Sequence, residues 1–261
     1  MKRIVALAAA LCLLFAGVSA LAQIEVDKRD LSLNTALDRD VTHILVLLQD
    51  GEKTDTMMIA SINSKTGRSV MTRLDCAMAA EVRGAGETAL CDVYSLGKKG
   101  SGGPLAMRTV NELLALNINT YVALDMSQLP EMVAAVGTLN MDFDEAEAAA
   151  MGTWVGLNEL EGDAVLSYVR LQLEGDAPAR SRGYDALMQL LYQGLHSGDV
   201  LGLFSLGQKM LGSMDTNLNP LTAMTLVTAV QGGEDRRELA LPGEAQDAQA
   251  MREAFNREVY E

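Results

Sequence analysis

Apolar residues in the first half of the chain occur in short blocks that polar turns separate. The block Ile44–Leu48 is continuously apolar, which is typical of a strand covered on both faces. A second block, Thr56–Ile62, is followed by the turn-forming segment Asn63–Gly67, and residues 69–72 then predict a returning third strand. A further short strand is predicted over Tyr121–Leu124. These blocks indicate a sheet whose strands are largely buried.

Helical patterns alternate with these strands and dominate the second half of the chain. Pro104 follows a Gly-rich loop and suits the first turn of a helix, in which Leu105, Val110 and Leu113 lie close to one face. Ser127 has the chemistry of an N-cap for a helix that extends through Val136. Further helices are predicted over residues 145–151, 162–171, 181–196, 200–211 and 220–230. Early strands interleaved with helices favour a layered α/β fold.

The first 22 residues have the pattern of an export signal. Lys2 and Arg3 precede an uncharged run from Ile4 to Ala22, and this run ends in small residues spaced as in a cleavage site. The run is also just long enough to span a bilayer, so a retained N-terminal anchor is the alternative. Either interpretation places the remaining chain outside the cytoplasm, secreted or held at the outer face of the cytoplasmic membrane.

The chain after residue 22 divides into three parts by composition. Residues 23–40 are polar and form a leader segment, residues 41–243 form the predicted domain, and residues 244–261 form a charged C-terminal tail. We expect the tail to be an exposed helix. No later stretch of the sequence is long and apolar enough to predict a membrane span.

Composition limits the possible ligands. Of the 261 residues, 49% are hydrophobic, which provides for a sizeable core, and the net charge is −14. Such an acidic chain is a poor general binder of nucleic acid, because that affinity comes from cationic contacts with phosphates. A phosphorylated ligand would therefore need a local cluster of arginines or a metal ion to offset the overall charge.

Two cysteines, Cys76 and Cys91, lie in the part of the chain predicted to be exported. An oxidising compartment permits a disulfide between them. They are equally compatible with two small buried residues. Neither histidine is close to them in sequence, which argues against a zinc site.

Two aspartates are predicted to lie at one end of the sheet. Asp50 closes the first buried strand, and Asp55 opens the second after a short loop. Carboxylates on adjacent strand ends form a natural site for a hard cation such as Mg²⁺, which accepts one or two carboxylates together with water and phosphate oxygens. The alternative is that both are simply solvated loop residues.

Four arginines are candidates for an anion pocket in this acidic chain. Arg73 ends the third strand, Arg170 lies late on an otherwise apolar helix, and Arg180 and Arg182 precede the next helix. Guanidinium groups match phosphate oxygens in bidentate geometry and remain charged. Each arginine taken alone is better explained by a surface ion pair. The sequence contains no G-x-S-x-G elbow, P-loop or H-E-x-x-H motif.

The order of these segments resembles the LytR–CpsA–Psr family of cell-envelope proteins. The strand that ends in Asp50 and the following Thr54-Asp55-Thr56-Met57-Met58 are similar to the opening of the family domain, which has an S-D-T-M-type segment. The most specific match is Leu160–Arg170, which resembles L-x-G-E-Q-A-L-x-Y-V-R. Weaker similarities to the family's later segments lie at residues 71–73, 90–97, 117–125 and 215–218. Together they cover about residues 41–243.

The resemblance implies a layered α/β/α sandwich with a central mixed β-sheet. It also implies an extracytoplasmic phosphotransferase that uses Mg²⁺ to move a glycopolymer from a polyprenyl-pyrophosphate carrier to cell-wall peptidoglycan. By position, Asp50 and Asp55 match the metal aspartates, and Arg73 and Arg170 match arginines that hold the pyrophosphate. The resemblance also implies catalytic roles for Arg73 and Asp176. It implies that Arg180 and Arg182 bind the pyrophosphate together with Arg73 and Arg170.

The chain departs from the family pattern at several cationic or polar positions. Leu74 replaces an Asp, Ala89 replaces a Lys, Cys91 replaces an Asn, and Gln172 and Ala179 replace arginines. Loss of one charged phosphate contact can cost about a hundredfold in rate. A non-catalytic polyprenyl-phosphate-binding protein on the same fold is therefore the first alternative, and a polyprenyl-pyrophosphate pyrophosphatase is the second.

Overall fold

The computed structural model describes residues 23–27, 29–173, 181–196, 214–219, 222–223, 235–241 and 248–261. Within these residues the central sheet has six strands in the order β10-β3-β2-β1-β6-β9. These strands are β1 (Val41–Asp50), β2 (Lys53–Asn63), β3 (Ser69–Leu74), β6 (Thr120–Asp125), β9 (Asp215–Thr216) and β10 (Arg236–Leu241). The predicted export signal over residues 1–22 lies outside the described residues.

The sheet is mixed. β2 is antiparallel to both β1 and β3, whereas β6 is parallel to β1 and β10 is parallel to β3. Two small two-stranded sheets lie apart from it. One is a hairpin of β4 (Ala79–Val82) and β5 (Gly86–Ala89), and the other pairs β7 (Leu139–Phe143) with β8 (Gly156–Leu160).

Helices cover both faces of the sheet. The described helices are α1 (Leu90–Leu96), α2 (Gly102–Leu114), α3 (Leu129–Val136), α4 (Glu145–Met151), α5 (Gly162–Val169), α6 (Arg182–His196) and α7 (Ala248–Tyr260). One hydrophobic core packs α1, α2 and α7 on the first face, and the other packs α3, α5 and α6 on the second face. The predicted α/β/α sandwich with a central mixed sheet is confirmed.

Apolar side chains from both ends of the described chain join the first core. Val26 and Leu31 of the leader segment are buried in it, and Met251, Phe255 and Val259 place one side of α7 against the sheet. The prediction of an exposed helical tail is therefore wrong for the side of α7 that faces the sheet. Apolar residues spaced four apart form a stripe that needs a hydrophobic partner.

The helical predictions over residues 145–151, 162–171 and 181–196 are confirmed to within two residues. The predicted helix over 200–211 and most of that over 220–230 lie outside the described residues. Sequence patterns did not predict β10, the β4–β5 hairpin or the β7–β8 strand pair. In the part of the chain that the structure describes, no helix combines the length and apolarity needed to cross a bilayer.

His43 links the C-terminal helix to the sheet and should make stability depend on pH. Its ring nitrogens bond the Ser61 hydroxyl at 2.9 Å and the Tyr260 hydroxyl at 2.8 Å, and burial lowers its pKa from 6.5 to about 4. Between these values the unfolded chain binds a proton that the folded chain does not, so stability falls as the pH falls. We expect a loss of about 2 kcal/mol between pH 7 and pH 5, measured by urea unfolding.

The matched variant for this prediction is His43→Gln, whose side chain does not titrate. Its stability should be lower at neutral pH, but it should fall less steeply than that of the wild type on acidification. An equally steep fall in both proteins would show that other groups control the acid sensitivity.

Candidate functional site

Four strands of the central sheet bring polar side chains to one end. β1 ends at Asp50, β2 begins at Lys53, and β3 ends one residue after Arg73. Because β1 and β3 are both antiparallel to β2, and β6 is parallel to β1, these strand termini lie at the same end of the sheet. Asp50, Asp55 and Arg73 therefore lie at the same end of the fold, as the strand–loop–strand pattern predicted.

Asp55 occupies a β-bulge. Leu48 pairs with Thr56 and Gln49 pairs with Thr54, so Asp55 is the extra residue on β2 between two paired positions. Thr54 and Thr56 are buried, whereas Asp55 is exposed. A bulge of this kind redirects a side chain out of the alternating pattern of a strand, and bulges are frequent next to active sites.

Arg170 borders the site next to Asp50. It is the C-cap residue of α5, and its guanidinium forms an ion pair with the Asp50 carboxylate at 2.8 Å. The two side chains are 47% and 48% exposed. A residue predicted to bind phosphate and a residue predicted to bind metal are thus in direct contact, although 120 positions separate them in sequence.

The start of α6 borders the site next to Asp55 and Thr56. The Thr56 hydroxyl donates to the Asp55 carboxylate at 2.7 Å and shares a hydrogen bond of 2.9 Å with the Ser181 hydroxyl. The Ser181 oxygen also accepts from the Tyr184 backbone N–H at 3.1 Å. A Cβ atom on Gly183 would collide with Asp55, Thr56 and Leu48, so only glycine permits this approach of helix to strand.

Arg73 lies on the face of the sheet that α6 covers, and it pairs with Met58 of β2. Its guanidinium stands over the Tyr184 ring at 5.5 Å from the centroid, a cation–π contact. The Tyr184 hydroxyl donates to Glu238 at 3.1 Å, and burial raises the pKa of Tyr184, so the hydroxyl stays protonated. Arg73 is half-buried and is positioned by α6.

Arg182, which the sequence predicts to bind pyrophosphate, has its side chain buried in the second core. Its side chain is 5% exposed and forms an ion pair of 2.9 Å with Glu147, which is fully buried. A second bond runs from Arg182 to the Leu171 carbonyl at 3.2 Å. The guanidinium therefore points into the second core, because Glu147 on α4 needs a cationic partner there.

Two of the predicted site residues, Arg180 and Asp176, lie outside the described residues. Conversely, sequence reasoning did not single out Thr56, Ser181, Gly183 and Tyr184. Ser181 had one available signal, since a serine at the start of a predicted helix commonly caps it by accepting a hydrogen bond from a backbone N–H of the first turn.

The carboxylate pair fits a hard cation. Partial burial and the negative charge of Asp50 raise the pKa of Asp55, against the hydrogen bond from Thr56, which lowers it. A divalent cation would relieve this repulsion, and both side chains offer only oxygen ligands, as Mg²⁺ prefers. Among the described residues no group of three or more His, Cys, Asp or Glu side chains could hold a metal. Mg²⁺ commonly takes its further oxygens from water and from substrate phosphates.

A largely apolar cavity of about 200 Å³ adjoins this site between α6 and the β3–β10 edge. Met71, Met188, Leu191 and Tyr192 form its apolar wall, and Glu238, the partner of Tyr184, lies at its rim. The site thus combines two carboxylates, two guanidinium groups and a neighbouring apolar slot.

Comparison with known proteins gives consistent matches. The LytR_cpsA_psr family model matches residues 15–257. A protein of Oceanobacillus iheyensis named polyisoprenyl-teichoic acid–peptidoglycan teichoic acid transferase TagU is 24% identical over 211 residues. That match covers 76% of this chain and 65% of the relative, so this chain spans less than two thirds of the relative's length.

Solved structures show the same fold. Bacillus subtilis TagT superposes with a TM-score of 0.71 at 15% identity, covering 90% of this chain and 99% of that one. A second TagT structure, with bound octaprenyl pyrophosphate lipid, gives a TM-score of 0.67 at 16% identity, with the same coverage of both chains.

Proposed function

Because this chain belongs to the LytR_cpsA_psr family, we propose that it is an extracytoplasmic phosphotransferase that moves a glycopolymer from a polyprenyl-pyrophosphate carrier to peptidoglycan. The observation that carries this proposal is the meeting of Asp50, Asp55 and Arg170 at one end of the sheet. The name of the TagU relative and the lipid bound to TagT support the same reaction class.

Mg²⁺ is the proposed cofactor, and Asp50 and Asp55 are the residues that would hold it. When bound, such an ion neutralises charge on the phosphoryl oxygens, which is most of what phosphoryl transfer requires from its catalyst. The Thr56 hydroxyl fixes the orientation of the Asp55 carboxylate, and Ser181 fixes the Thr56 hydroxyl.

Arg170 and Arg73 are the proposed pyrophosphate-binding groups. Arg170 is about half exposed beside Asp50, so a phosphate oxygen can reach its guanidinium. Arg73 is held on the sheet by Tyr184, which limits its rotamers and therefore the entropy lost when an anion binds. The start of α6 adds the partial positive charge of a helix N-terminus. Arg180 and Asp176 remain proposed members of the site.

The apolar cavity beside Tyr184 is the proposed place for part of the polyprenyl chain. An amphiphilic donor needs an apolar slot next to a charged mouth, and Met188, Leu191 and Tyr192 provide such a slot directly beyond the first turns of α6. The proposed partners are thus a polyprenyl-linked glycopolymer at the outer face of the cytoplasmic membrane and the peptidoglycan acceptor.

A non-catalytic polyprenyl-phosphate-binding protein is the second candidate. The observation that favours it is the burial of Arg182 against Glu147, which withdraws one more guanidinium from a site that already lacks several family cations. A binder would retain affinity for polyprenyl phosphate without turnover. A pyrophosphatase would instead hydrolyse the pyrophosphate of the donor, with water in place of the peptidoglycan acceptor.

Replacing Arg170 by Gln is expected to lower the transfer rate by about a hundredfold, because one charged phosphate contact is lost. The experiment follows a labelled glycopolymer from a polyprenyl-pyrophosphate donor to peptidoglycan in the presence of Mg²⁺. Folding should be little affected, since ion pairs as exposed as Asp50–Arg170 contribute about 1 kcal/mol or less.

The matched control is Arg83→Gln, which removes a comparably exposed ion pair with Asp30, and a second one with Glu112, on the other face of the sheet. Its transfer rate should equal that of the wild type. Transfer by Arg170→Gln at the wild-type rate would contradict the proposed role. Donor binding without any turnover by the wild-type protein would favour the binding-protein alternative.

A further inference from the structure

Cys76 and Cys91 lie side by side directly behind the bulge that carries Asp55. Cys76 follows β3, and Cys91 lies in the first turn of α1. The backbone N–H of Cys91 donates to the Cys76 carbonyl at 3.1 Å, and interaction between the two thiols raises the pKa of Cys76 and lowers that of Cys91. The Cys76 thiol also contacts the Asp55 carbonyl at 3.3 Å and the Thr54 carbonyl at 3.7 Å.

This geometry suits a covalent bond. The backbone hydrogen bond from Cys91 to Cys76 holds the two backbones next to each other. A disulfide has a Cα separation of about 4.4–6.8 Å. Both cysteines are partly accessible to solvent, so an oxidant can reach them.

We propose that Cys76 and Cys91 form an intramolecular disulfide that fixes the Asp55 bulge from behind. The reaction is exchange with a protein or small-molecule disulfide. Two S–H bonds and the S–S bond of the oxidant break, the Cys76–Cys91 bond forms, and the oxidant leaves as two thiols. The bond joins the segment after β3 to α1, and both of these pack against the start of β2.

The disulfide closes a short loop over the β4–β5 hairpin. Such a loop removes conformational entropy mainly from the unfolded chain. We therefore expect the oxidised protein to have a Tm higher than that of the reduced protein by about 5–10 °C. Backbone amides of residues 53–58 should exchange hydrogen more slowly in the oxidised protein, because Thr54 and Asp55 contact the linked segment.

The test treats the full-length chain with oxidised glutathione and maps its peptides without reduction. Trypsin cleaves after Arg73, Arg83 and Lys98, so peptides 74–83 and 84–98 each carry one cysteine. We expect these two peptides to be linked. The same protein after reduction, and the double variant Cys76→Ser with Cys91→Ser, provide the reference Tm and exchange rates.

Failure to detect the linked peptides would overturn the proposal. Linked peptides with an unchanged Tm and unchanged exchange over residues 53–58 would also overturn it, because the bond would then not fix the bulge. These readouts do not use transfer activity, so they are independent of the proposed reaction.

Discussion

Asp55→Asn is expected to lower magnesium-dependent transfer by about a thousandfold while leaving the fold intact. The amide loses the negative charge that would hold the cation, and a metal's stabilisation of developing charge contributes several kcal/mol. The amide oxygen can still accept the hydrogen bond from Thr56, so the contact between β2 and α6 is kept. The measurement is the transfer rate as a function of Mg²⁺ concentration.

The same substitution should preserve or slightly increase stability. Burial and Asp50 raise the pKa of Asp55, which means that its ionised form is less favourable in the folded than in the unfolded chain. Above its raised pKa this carboxylate costs folding free energy, and a neutral amide removes the cost. Loss of activity with equal or higher stability is typical of a residue retained for function.

The matched control for this prediction is Asp125→Asn. Asp125 ends β6 at the same end of the sheet, but its carboxylate accepts hydrogen bonds from Ser127 and caps a short 3₁₀ turn. Asparagine is also a good cap, so transfer should remain at the wild-type level. If Asp55→Asn transferred as fast as Asp125→Asn, Asp55 could not be the essential metal ligand.

The proximity of Asp50 and Asp55 could be predicted because it depends on local chain geometry. A buried strand, a short turn and a second strand leave few ways to separate the two carboxylates. The bulge was not predictable, since the sequence alternates normally through Thr54 and Thr56. Which residue is extra depends on the pairing between two strands, and hydrophobic pattern alone does not reveal it.

Contacts between distant segments were harder to predict. The family resemblance placed Arg170 near the aspartates, but its ion pair with Asp50 depends on how α5 ends above the sheet. β10 was missed because Arg236–Leu241 is an edge strand with charged and half-buried residues, which lacks the apolar run of a central strand. Its parallel pairing with β3 brings Glu238 to Tyr184.

Arg182 illustrates how sequence position and side-chain environment can disagree. Its position before a helix, next to a family arginine pattern, predicted a phosphate ligand. The sequence also contains Asp144 and Glu147 at capping-box spacing, and the structure confirms that both bonds of this box are present. The sequence could not show that the same Glu147 carboxylate would also receive Arg182 and the Tyr168 hydroxyl.

Glu147→Gln and Arg182→Met are each expected to lower the free energy of unfolding by about 3–5 kcal/mol, because each leaves a buried charge without its ionic partner. The bonds to Tyr168 and Leu171 cannot replace that charge. The double variant should be less destabilised than the sum of the two single variants, since it leaves neither charge buried. Urea unfolding of the three variants and the wild type measures this coupling.

Glu25→Gln is the control in the same experiment, because it breaks an ion pair that is exposed to solvent. Its partner Lys98 is 51% exposed and Glu25 itself is 74% exposed, so the loss should be about 1 kcal/mol or less. If Arg182 were instead a phosphate ligand, Arg182→Met would weaken donor binding without lowering stability. Additive losses in the double variant would likewise show that Glu147 and Arg182 do not act as a pair. The expected coupling would establish that the Glu147–Arg182 ion pair holds α4 and α6 together.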